Sequence, residues 1–232
     1  MILFQQKMKT VIVIPVFNEE KTIGNVLSDL NKNNYNDIIV VDDASSDKSA
    51  EIARNYNCMI IEHLINRGQG AALKTGIVLA LNGGADYIVT FDADGQHQVG
   101  DIKLLLEPLY AKKCEVTLGS RYLTELSQRK IPLMRKVLHR LAIVYTNFTT
   151  RLNLSDTHNG LRAMTAVAAE KIHFSQDRYA HASEILEEIA HKHISFMEIP
   201  VTISYTDYSL AKGQKIGDFI KILFKIFVNK LR

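Results

Sequence analysis

The stretch YIVTFDADGQHQ, from Tyr87 to Gln98, joins an apolar run to a polar loop. Its first five residues are β-formers without a regular polar alternation, which is typical of a strand buried on both faces of a sheet. Two carboxylates, Asp92 and Asp94, follow this run one residue apart, and a glycine comes next. The stretch therefore predicts a core strand that ends directly in a polar site.

The first half of the chain repeats this form, an apolar strand followed by a loop and a helix. The predicted pairs are Thr10–Val16 with a helix that buries Ile23, Val26, Leu27 and Leu30, Ile38–Val41 with Ser45–Asn55, Cys58–Leu64 with Ala71–Leu81, and Tyr87–Phe91 with Ile102–Tyr110. Continuous apolar strands that alternate with helices predict an α/β fold, in which a mainly parallel central sheet has helices on both faces. We expect one domain with a less regular second half.

Composition excludes several classes of protein. The 232 residues are 47% hydrophobic, enough for one large core. A formal charge of +3 and a pI near 8.7 are too mild to indicate a nucleic-acid partner, and none is expected. Cys58 and Cys114 lack C-x-x-C spacing, which predicts free thiols in a reducing cytoplasm. We expect neither a signal peptide nor an apolar run of about 20 residues that could span a bilayer.

Polar residues follow each of the four predicted strands. They are Asn18-Glu19-Glu20, Asp42-Asp43, Asn66-Arg67-Gly68 and Asp92-Ala93-Asp94. Ligands of open α/β sheets bind at the carboxyl ends of the strands, where the connecting loops converge. The sequence therefore predicts one polar site at this edge.

Asp92 and Asp94 are two residues apart, so in an extended segment both side chains point the same way. Two carboxylates this close repel each other unless a positive group lies between them, and oxygen ligands suit a hard cation such as Mg²⁺ or Mn²⁺. The alternative is a polar turn, because Asp-Gly is a frequent turn dipeptide.

The other loops also leave two interpretations open. In NRGQGAALKTG (Asn66–Gly76), Gly68 and Gly70 precede an Ala-rich helix and could let backbone amides approach a phosphate, or could form an ordinary helix start. Asp42 and Asp43 could bind a base or ribose, or cap the following helix, although Asp47 is better placed for the cap.

Taken together, these segments resemble a known family. VIPVFNEE, VVDDASSD, NRGQGAALKTG, FDADGQH, GSR (Gly119–Arg121) and SDTHNGLRAM (Ser155–Met164) occur in the order seen in family 2 glycosyltransferases with a GT-A fold, the Rossmann-like fold of nucleotide-diphospho-sugar transferases. Within that family the chain is similar to dolichyl-phosphate mannose synthases and bacterial polyprenyl-phosphate glycosyltransferases. The similarity covers residues from about 10 to about 212, and YTDYSLAKGQ (Tyr205–Gln214) also looks like a stretch of the bacterial members.

The resemblance implies a role for particular residues. Those expected to line the nucleotide-sugar pocket are Pro15, Asn18, Glu19, Asp42, Asp43, Gly70, Lys74 and Asp92. Those expected to hold Mg²⁺ or Mn²⁺ are Asp92, Asp94 and Gln96. Those expected to act in catalysis are Asp94, Arg121, Arg162 and Glu184. Those expected to bind the acceptor phosphate are Arg121, Arg135, Arg162 and Lys212. Many relatives carry an arginine-bearing segment where this chain has Asp207, Tyr208 and Lys212, and Lys212 is the candidate for phosphate contacts there. His181, His191 and His193 are interpreted as ordinary helix-face residues.

The implied reaction moves a sugar from a UDP- or GDP-sugar to a polyprenyl phosphate, undecaprenyl or dolichyl, at the cytoplasmic face of a membrane. An ionised phosphate can attack the anomeric carbon without a general base, so we expect a single displacement with inversion. Two alternatives stay open. One is a family 2 enzyme that modifies a glycan or glycolipid hydroxyl, with Glu184 as its base, and the other is a non-catalytic nucleotide-sugar-binding module.

Two segments are predicted to reach the membrane surface. We divide the chain into a catalytic domain, residues 1–212, and a basic amphipathic helix, residues 213–232, which could lie on a membrane or pack on the enzyme's own core. The second segment is RKIPLMRKVLHRLAIVYTNFTTRL, where Arg129, Lys130, Arg135, Lys136 and Arg140 accompany apolar residues. The alternative for this segment is a packed helix with a solvated basic face. A small membrane-protein partner or a homo-oligomer is a further possibility.

Overall fold

The computed structural model describes residues 8–123, 133–173, 177 and 181–204. Its strands are β1 (Thr10–Val16), β2 (Ile38–Asp42), β3 (Met59–Glu62), β4 (Tyr87–Thr90), β5 (Val116–Ser120), β6 (Arg162–Thr165) and β7 (Phe196–Pro200). Its α-helices are α1 (Ile23–Lys32), α2 (Ser49–Ala53), α3 (Gln69–Asn82), α4 (Asp101–Tyr110), α5 (Leu133–Thr150), α6 (Ala166–Lys171) and α7 (His181–His191). A 3₁₀ turn spans Arg121–Leu123. In the described part of the chain, no helix is both long and apolar enough to cross a membrane.

The strands form one seven-stranded sheet in the order β3-β2-β1-β4-β6-β5-β7. The pairs β1–β2, β2–β3, β1–β4 and β5–β7 are parallel, and β6 runs antiparallel to both of its neighbours. The predicted mixed α/β fold with a mainly parallel sheet is thus confirmed. The second half of the chain is more regular than expected, because it contributes β5, β6 and β7 to the same sheet.

A hydrophobic layer covers each face of this sheet. One layer packs α1 and α4 against β1, with Ile12, Ile14 and Leu105 completely buried. The other packs α3, α6 and α7 against the opposite face. At about 1.5–3 kcal/mol for each large side chain removed from water, these layers dominate the stability of the fold.

Helix α3 lies very close to the sheet because its inner face is built from small residues. A Cβ at Gly76 would lie 2.3 Å from Cγ1 of Val13, so only glycine allows this approach. Helix α2 covers Ser49–Ala53 and is much shorter than the predicted Ser45–Asn55. The three residues before Lys48 instead bond to the neighbouring loop, which keeps them out of the helix.

Pro15 is accommodated inside β1, although proline cannot donate to a strand ladder. It lies opposite Val41 of β2, while the pairing of β1 with β4 ends at Val13 and Thr90. The missing N–H would face the β4 side of β1, and β1 no longer pairs with β4 at Pro15. Pro15 therefore lies at the edge of the sheet where the polar loops begin.

Candidate active site

The loops that follow β1 and β2 are joined by side chain to backbone hydrogen bonds. The Ser45 hydroxyl accepts from the N–H of Asn18 at 2.9 Å, and the Asn18 side chain accepts from the N–H of Ser46 at 2.8 Å. The N–H of Glu19 donates to the Ser49 hydroxyl at 2.7 Å. Asn18 has a φ of 54°, a left-handed conformation that asparagine tolerates. Two of the predicted nucleotide residues thus belong to one rigid double loop.

Asp42 and Asp43 are both 2% exposed, but they form different hydrogen bonds. Oδ1 of Asp42 accepts from the N–H of Ser45 at 2.8 Å, whereas its buried Oδ2 has no hydrogen-bond partner among the described residues. A buried acceptor without a donor is costly, and an N–H group of a ligand or a water molecule would satisfy it. Asp42 therefore keeps an oxygen for a ligand while it shapes its own turn.

Asp43 uses both of its oxygens to hold the loop before α3. Oδ1 accepts from the N–H of Arg67 at 2.9 Å and lies 2.7 Å from Nδ1 of His63, and Oδ2 accepts from the N–H of Gly68 at 2.6 Å. Gly68 has a φ of 105°, which favours glycine at this position. These amides face Asp43, so the structure supports the interpretation of this glycine loop as a helix start.

Asp92 lies directly after β4 and is held from several directions. The Gln69 side-chain amide donates to Oδ1 at 3.0 Å, and Nε2 of His97 lies 3.1 Å from Oδ2. A Cβ at Gly160 would lie 2.1 Å from the same Oδ2, so the glycine backbone packs against the carboxylate. Burial raises the pKa of Asp92, but the His97 hydrogen bond and the charges of His97, His181 and Arg162 outweigh it and leave the pKa below its ordinary value. Asp92 therefore stays ionised in a fixed orientation.

Asp94 is the second carboxylate of the pair and is bonded locally. Its oxygens accept from the backbone N–H of Gln96 at 3.0 Å and from the Gln96 side-chain amide at 2.8 Å. Burial, followed by the charge of Asp92, raises the pKa of Asp94 to about 6. The pair thus carries an excess of negative charge that a cation would relieve.

A cavity of about 370 Å³ opens beside Asp94, between α1 and the loop that follows β4. Thr22, Asn25, Gln98 and His97 are among its lining residues. The cavity gives a ligand access to Asp94 from the α1 side of the sheet.

The oxygens of Asp92 and Asp94 fit a hard divalent cation whose remaining ligands come from a bound substrate. Each oxygen of Asp92 and Asp94 accepts one hydrogen bond and keeps a second lone pair for a metal. In the described part of the chain, no group of three or more histidine, cysteine or acidic side chains is arranged to hold a metal by itself. Mg²⁺ is commonly bound by one or two carboxylates together with phosphate oxygens and water, so a diphosphate would complete the shell.

Arg121, at the end of β5, is anchored by a buried ion pair. Its Nε donates to Oδ2 of Asp156 at 2.7 Å, and one terminal nitrogen donates to the carbonyl oxygen of His158 at 2.9 Å. The Asp156 backbone N–H in turn donates to Glu198 of β7 at 3.0 Å. This network sets the position of the segment Ser155–Leu161, which presents Gly160 to Asp92.

Arg162 begins β6 and is only 5% exposed. Its Nε donates to the carbonyl oxygen of Asn159 at 3.1 Å. Burial lowers its pKa to about 10, while the charges of Asp92 and Asp156 act in the opposite direction, so the guanidinium stays positive. Burial likewise lowers the pKa of His158 to about 4, which leaves this ring neutral. A permanent positive charge thus lies behind the carboxylates.

His181 corrects one expectation from the sequence. It is 6% exposed, and its charge contributes to the low pKa of Asp92, so it faces the site and is not an ordinary helix-face residue. Glu184, one turn further along α7, is half-buried. Its catalytic role stays a prediction.

The remaining predicted residues divide by location. Gly70 is buried in the first turn of α3, where the next N–H, that of Ala71, donates to the carbonyl oxygen of Asp177 at 3.1 Å. Lys74 is exposed on the same helix, five residues after Gln69, or about 7.5 Å along its axis. Arg135 lies in α5, but its side chain is outside the described residues, as is all of Lys212.

Sequence reasoning missed several residues of the polar network around Asp92, Arg121 and Arg162. They are Gln69, His97, Asp156, His158, Gly160 and His181. All of them except His181 lie in or beside the quoted motifs, but nothing in local sequence identifies their partners. The buried Nδ1 of His97 and Nδ2 of Asn159, which have no hydrogen-bond partner among the described residues, mark the same cluster.

Comparison with solved structures shows that the chain has a GT-A fold. Glucosyl-3-phosphoglycerate synthase from Mycobacterium tuberculosis, solved with UDP and Mg²⁺ or with UDP, Mn²⁺ and phosphoglyceric acid, superposes with TM-scores of 0.65 and 0.67. It is 16% identical, and the alignments cover 87% and 88% of this chain and 72% and 74% of that one.

Residues 11–172 match the model of glycosyl transferase family 2, and the chain belongs to that family. A relative from Methanococcus voltae, UDP-N-acetylglucosamine–dolichyl-phosphate N-acetylglucosaminyltransferase, is 32% identical over 239 residues, covering 95% of each chain. An uncharacterized protein of Methanocaldococcus jannaschii is 38% identical over 227 residues, covering 95% of this chain and 91% of that protein. The predicted family and the enzyme class, a glycosyltransferase, are therefore confirmed.

Proposed function

We propose that the chain transfers a sugar, with inversion, from a nucleotide-diphosphate sugar to a polyprenyl phosphate at the cytoplasmic face of a membrane. One observation carries this proposal. The carboxylates of Asp92 and Asp94 end a central strand, and the buried guanidinium of Arg162 is close enough to lower the pKa of Asp92. Carboxylates that would bind a cation thus lie in one site with a guanidinium that would bind phosphate oxygens.

The donor nucleotide would bind across the double loop that follows β1 and β2. Asn18 and Glu19 are held there by Ser45 and Ser49, so the loop needs little ordering when a ligand arrives. The unpartnered Oδ2 of Asp42 would accept an N–H group of the base. The proposed pocket also includes four residues that shape it or line its edge, namely Pro15, Asp43, Gly70 and Lys74.

The diphosphate would lie against the carboxylate pair. Asp92, Asp94 and Gln96 would hold Mg²⁺ or Mn²⁺, which when bound would neutralise charge that accumulates on the departing nucleoside diphosphate. His97 and Gln69 keep the Asp92 carboxylate in one orientation. Preorganised charge of this kind costs no rearrangement during the reaction.

The acceptor phosphate explains why the site needs no general base. The second pKa of a phosphate monoester is about 6, so its oxygen is ionised at neutral pH. This oxygen would be oriented behind the anomeric carbon by Arg121 and Arg162. Arg135 and Lys212 are further candidates for the same role. A guanidinium suits the task because its fork matches phosphate oxygens. Attack from that side inverts the anomeric centre.

The relatives support both substrates. The M. voltae protein takes its name from a UDP-sugar donor and a dolichyl-phosphate acceptor. The mycobacterial synthase of the same fold was solved with UDP and with Mg²⁺ or Mn²⁺. Donor base, sugar and lipid length are left to experiment.

The proposal is tested by transfer of labelled sugar from a panel of UDP- and GDP-sugars to polyprenyl phosphate in detergent, with Mg²⁺ or Mn²⁺. We expect metal-dependent label in the lipid, of inverted configuration by NMR, and a loss of about 100-fold or more in Asp94→Asn. Asp37→Asn is the matched control, because Asp37 is an exposed carboxylate paired with Lys9. Transfer to a glycan hydroxyl but not to the lipid would contradict the acceptor and favour Glu184 as a base.

A further inference from the structure

Helix α5 presents a continuous apolar stripe to solvent. Val137, Leu141, Val144 and Phe148 are 49%, 56%, 62% and 85% exposed, respectively. They are spaced at i, i+4, i+7 and i+11, so at 100° per residue they fall within an arc of about 60°. Single exposed apolar side chains are normal on a protein surface, but four in one row are not.

The opposite side of α5 packs on the protein. Ala142 and Thr146 are 2% and 5% exposed, and they lie across the helix from the stripe. The Asn147 side chain donates to the carbonyl oxygen of Leu154 at 2.9 Å and fixes the end of the helix. The helix is therefore held in place with its apolar stripe facing directly outward.

The formal charges on helix α5 itself are all positive. The range Leu133–Thr150 contains Arg135, Lys136 and Arg140 and neither aspartate nor glutamate. Arg140 is exposed, and its position and that of Lys136 lie on one flank of the stripe. Basic residues beside exposed apolar side chains suit an anionic lipid surface, where the charges meet headgroups and the apolar groups enter the boundary with the acyl chains.

The helix that carries the stripe contacts residues next to the active site. The Tyr122 hydroxyl lies 2.7 Å from Nδ1 of His139 in α5, and Tyr122 directly follows Arg121. Helix α5 also packs against α7, whose first residue is His181. A surface bound by α5 would therefore lie beside the proposed acceptor arginine.

We propose that the apolar stripe of α5, Val137, Leu141, Val144 and Phe148, docks on an anionic membrane surface and turns the active site toward the lipid. The docking rests on exposure and charge, while its use in delivering the acceptor rests on the proposed function. Membrane contact through this helix needs no spanning segment, because an interfacial face of a few apolar side chains binds reversibly.

Charge also argues against two other surfaces that could cover the stripe, residues 205–232 of this chain and a second copy of it. Residues 205–232 of this chain contain six lysine and arginine residues and two aspartates, so their packing here would bring positive charge against Arg140 and Lys136. A symmetric dimer through the stripe would place the same basic flank of each copy close to that of the other. An anionic lipid surface complements the flank and leaves no like charges together.

The test compares binding of the full chain to phosphatidylcholine vesicles with and without phosphatidylglycerol, by co-sedimentation. We expect binding only to the anionic vesicles, weakened by salt and reduced about tenfold or more in Val144→Glu/Phe148→Glu. The control, Val78→Glu/Val167→Glu, changes two apolar side chains that are 47% and 55% exposed on α3 and α6, and it should bind normally. Both variants should keep the native Tm, since exposed positions contribute little to stability.

Anionic-vesicle binding by the α5 variant equal to that of the native chain would overturn the proposal. A large fall in Tm of that variant alone would then mean that part of the chain covers the stripe. A change of its oligomeric state in light scattering would instead mean that a second copy covers it. Failure to bind vesicles with intact transfer to lipid in detergent would overturn docking alone, whereas vesicle binding without any transfer would overturn the proposed function alone.

Discussion

At the scale of single residues, Asp92 is the most constrained group of the site. Gln69 and His97 bond to its two oxygens, at 3.0 and 3.1 Å. Gly160 packs against its carboxylate, and the Thr90 hydroxyl donates to the carbonyl oxygen of Gly160 at 2.6 Å. A carboxylate held this way is already oriented before a substrate binds, which lowers the cost of the reaction step.

Gly160→Ala tests this constraint. The new Cβ would lie 2.1 Å from Oδ2 of Asp92, so the carboxylate or the loop must move. We expect transfer activity to fall by about 100-fold, since small displacements of catalytic groups have effects of this size. Steady-state kinetics with the donor sugar measures the change.

Gly100→Ala is the control for this prediction. A Cβ at Gly100 has nothing within 4 Å, and the residue has helical backbone angles, φ −60° and ψ −27°. We expect its activity to be native. Native activity of Gly160→Ala as well would show that the reaction does not depend on the position of Asp92.

At the scale of elements, the segment Ser155–Leu161 is held by two neighbouring strands of the sheet, β5 and β7. Arg121 at the end of β5 pairs with Asp156, and Glu198 of β7 accepts from the N–H groups of Ser155 and Asp156. The side chains of Arg121 and Asp156 are 12% and 3% exposed. Removing one partner of such a pair leaves the other charge poorly compensated.

Asp156→Asn is therefore expected to lower the free energy of unfolding by about 3 kcal/mol at neutral pH. Burial raises the pKa of Asp156, but the charge and hydrogen bonds of Arg121 outweigh it and hold the pKa below the ordinary value of 3.8. The contribution of this carboxylate is thus complete above pH 3.8 and is lost as the pH falls through the lower, folded-state pKa. The difference between native chain and variant should shrink in strong acid, as measured by urea unfolding at several pH values.

Glu62→Gln provides the comparison on the surface. Glu62 pairs with Arg54, but the two side chains are 49% and 54% exposed. Solvent screens such pairs, so the expected cost is below about 1 kcal/mol. Equal losses in Asp156→Asn and Glu62→Gln would contradict the structural role of the buried pair.

At the scale of the whole molecule, the site lies where the order of the sheet reverses. Strand β1 has β2 on one side and β4 on the other. Asp42 ends β2, and the loops after β1 and β4 carry Asn18 and Asp92. An open α/β sheet forms a crevice at such a point. A nucleotide bound there would contact groups that come together only when the whole sheet is folded.

The nucleoside diphosphate of the donor, UDP or GDP, should together with Mg²⁺ therefore raise the Tm of the native chain. Ligand at 100 times its Kd stabilises a folded protein by about 2.7 kcal/mol, and chelation of the metal should remove most of the gain. Differential scanning fluorimetry measures both effects. Asp94→Asn should lose the shift and Asp37→Asn should keep it. An equal shift with the same nucleoside diphosphate in the presence of a chelator would argue against a metal held by the carboxylate pair.

The sequence alone determined the first four strands of the sheet and the edge at which polar residues follow them. Apolar runs such as Val11–Ile14 and Ile88–Val89 form core strands because only burial on both faces explains their composition. The parallel order of the first four strands then requires their following loops to meet at one edge. Asp92, Asp94 and Asn18 could thus be assigned to one site from local sequence, and the family resemblance agreed with that assignment.

Only the tertiary structure decided what each polar group contacts. Asp43 binds the amides of Arg67 and Gly68, 24 and 25 residues away, and Arg121 pairs with Asp156, 35 residues away. Hydrophobic periodicity reports which face of an element is buried, but it contains no information about partners across such distances. The burial of His181 and the exposure of the α5 stripe depend in the same way on how the helices pack. The sequence therefore set the location of the site, and packing of distant segments set its geometry.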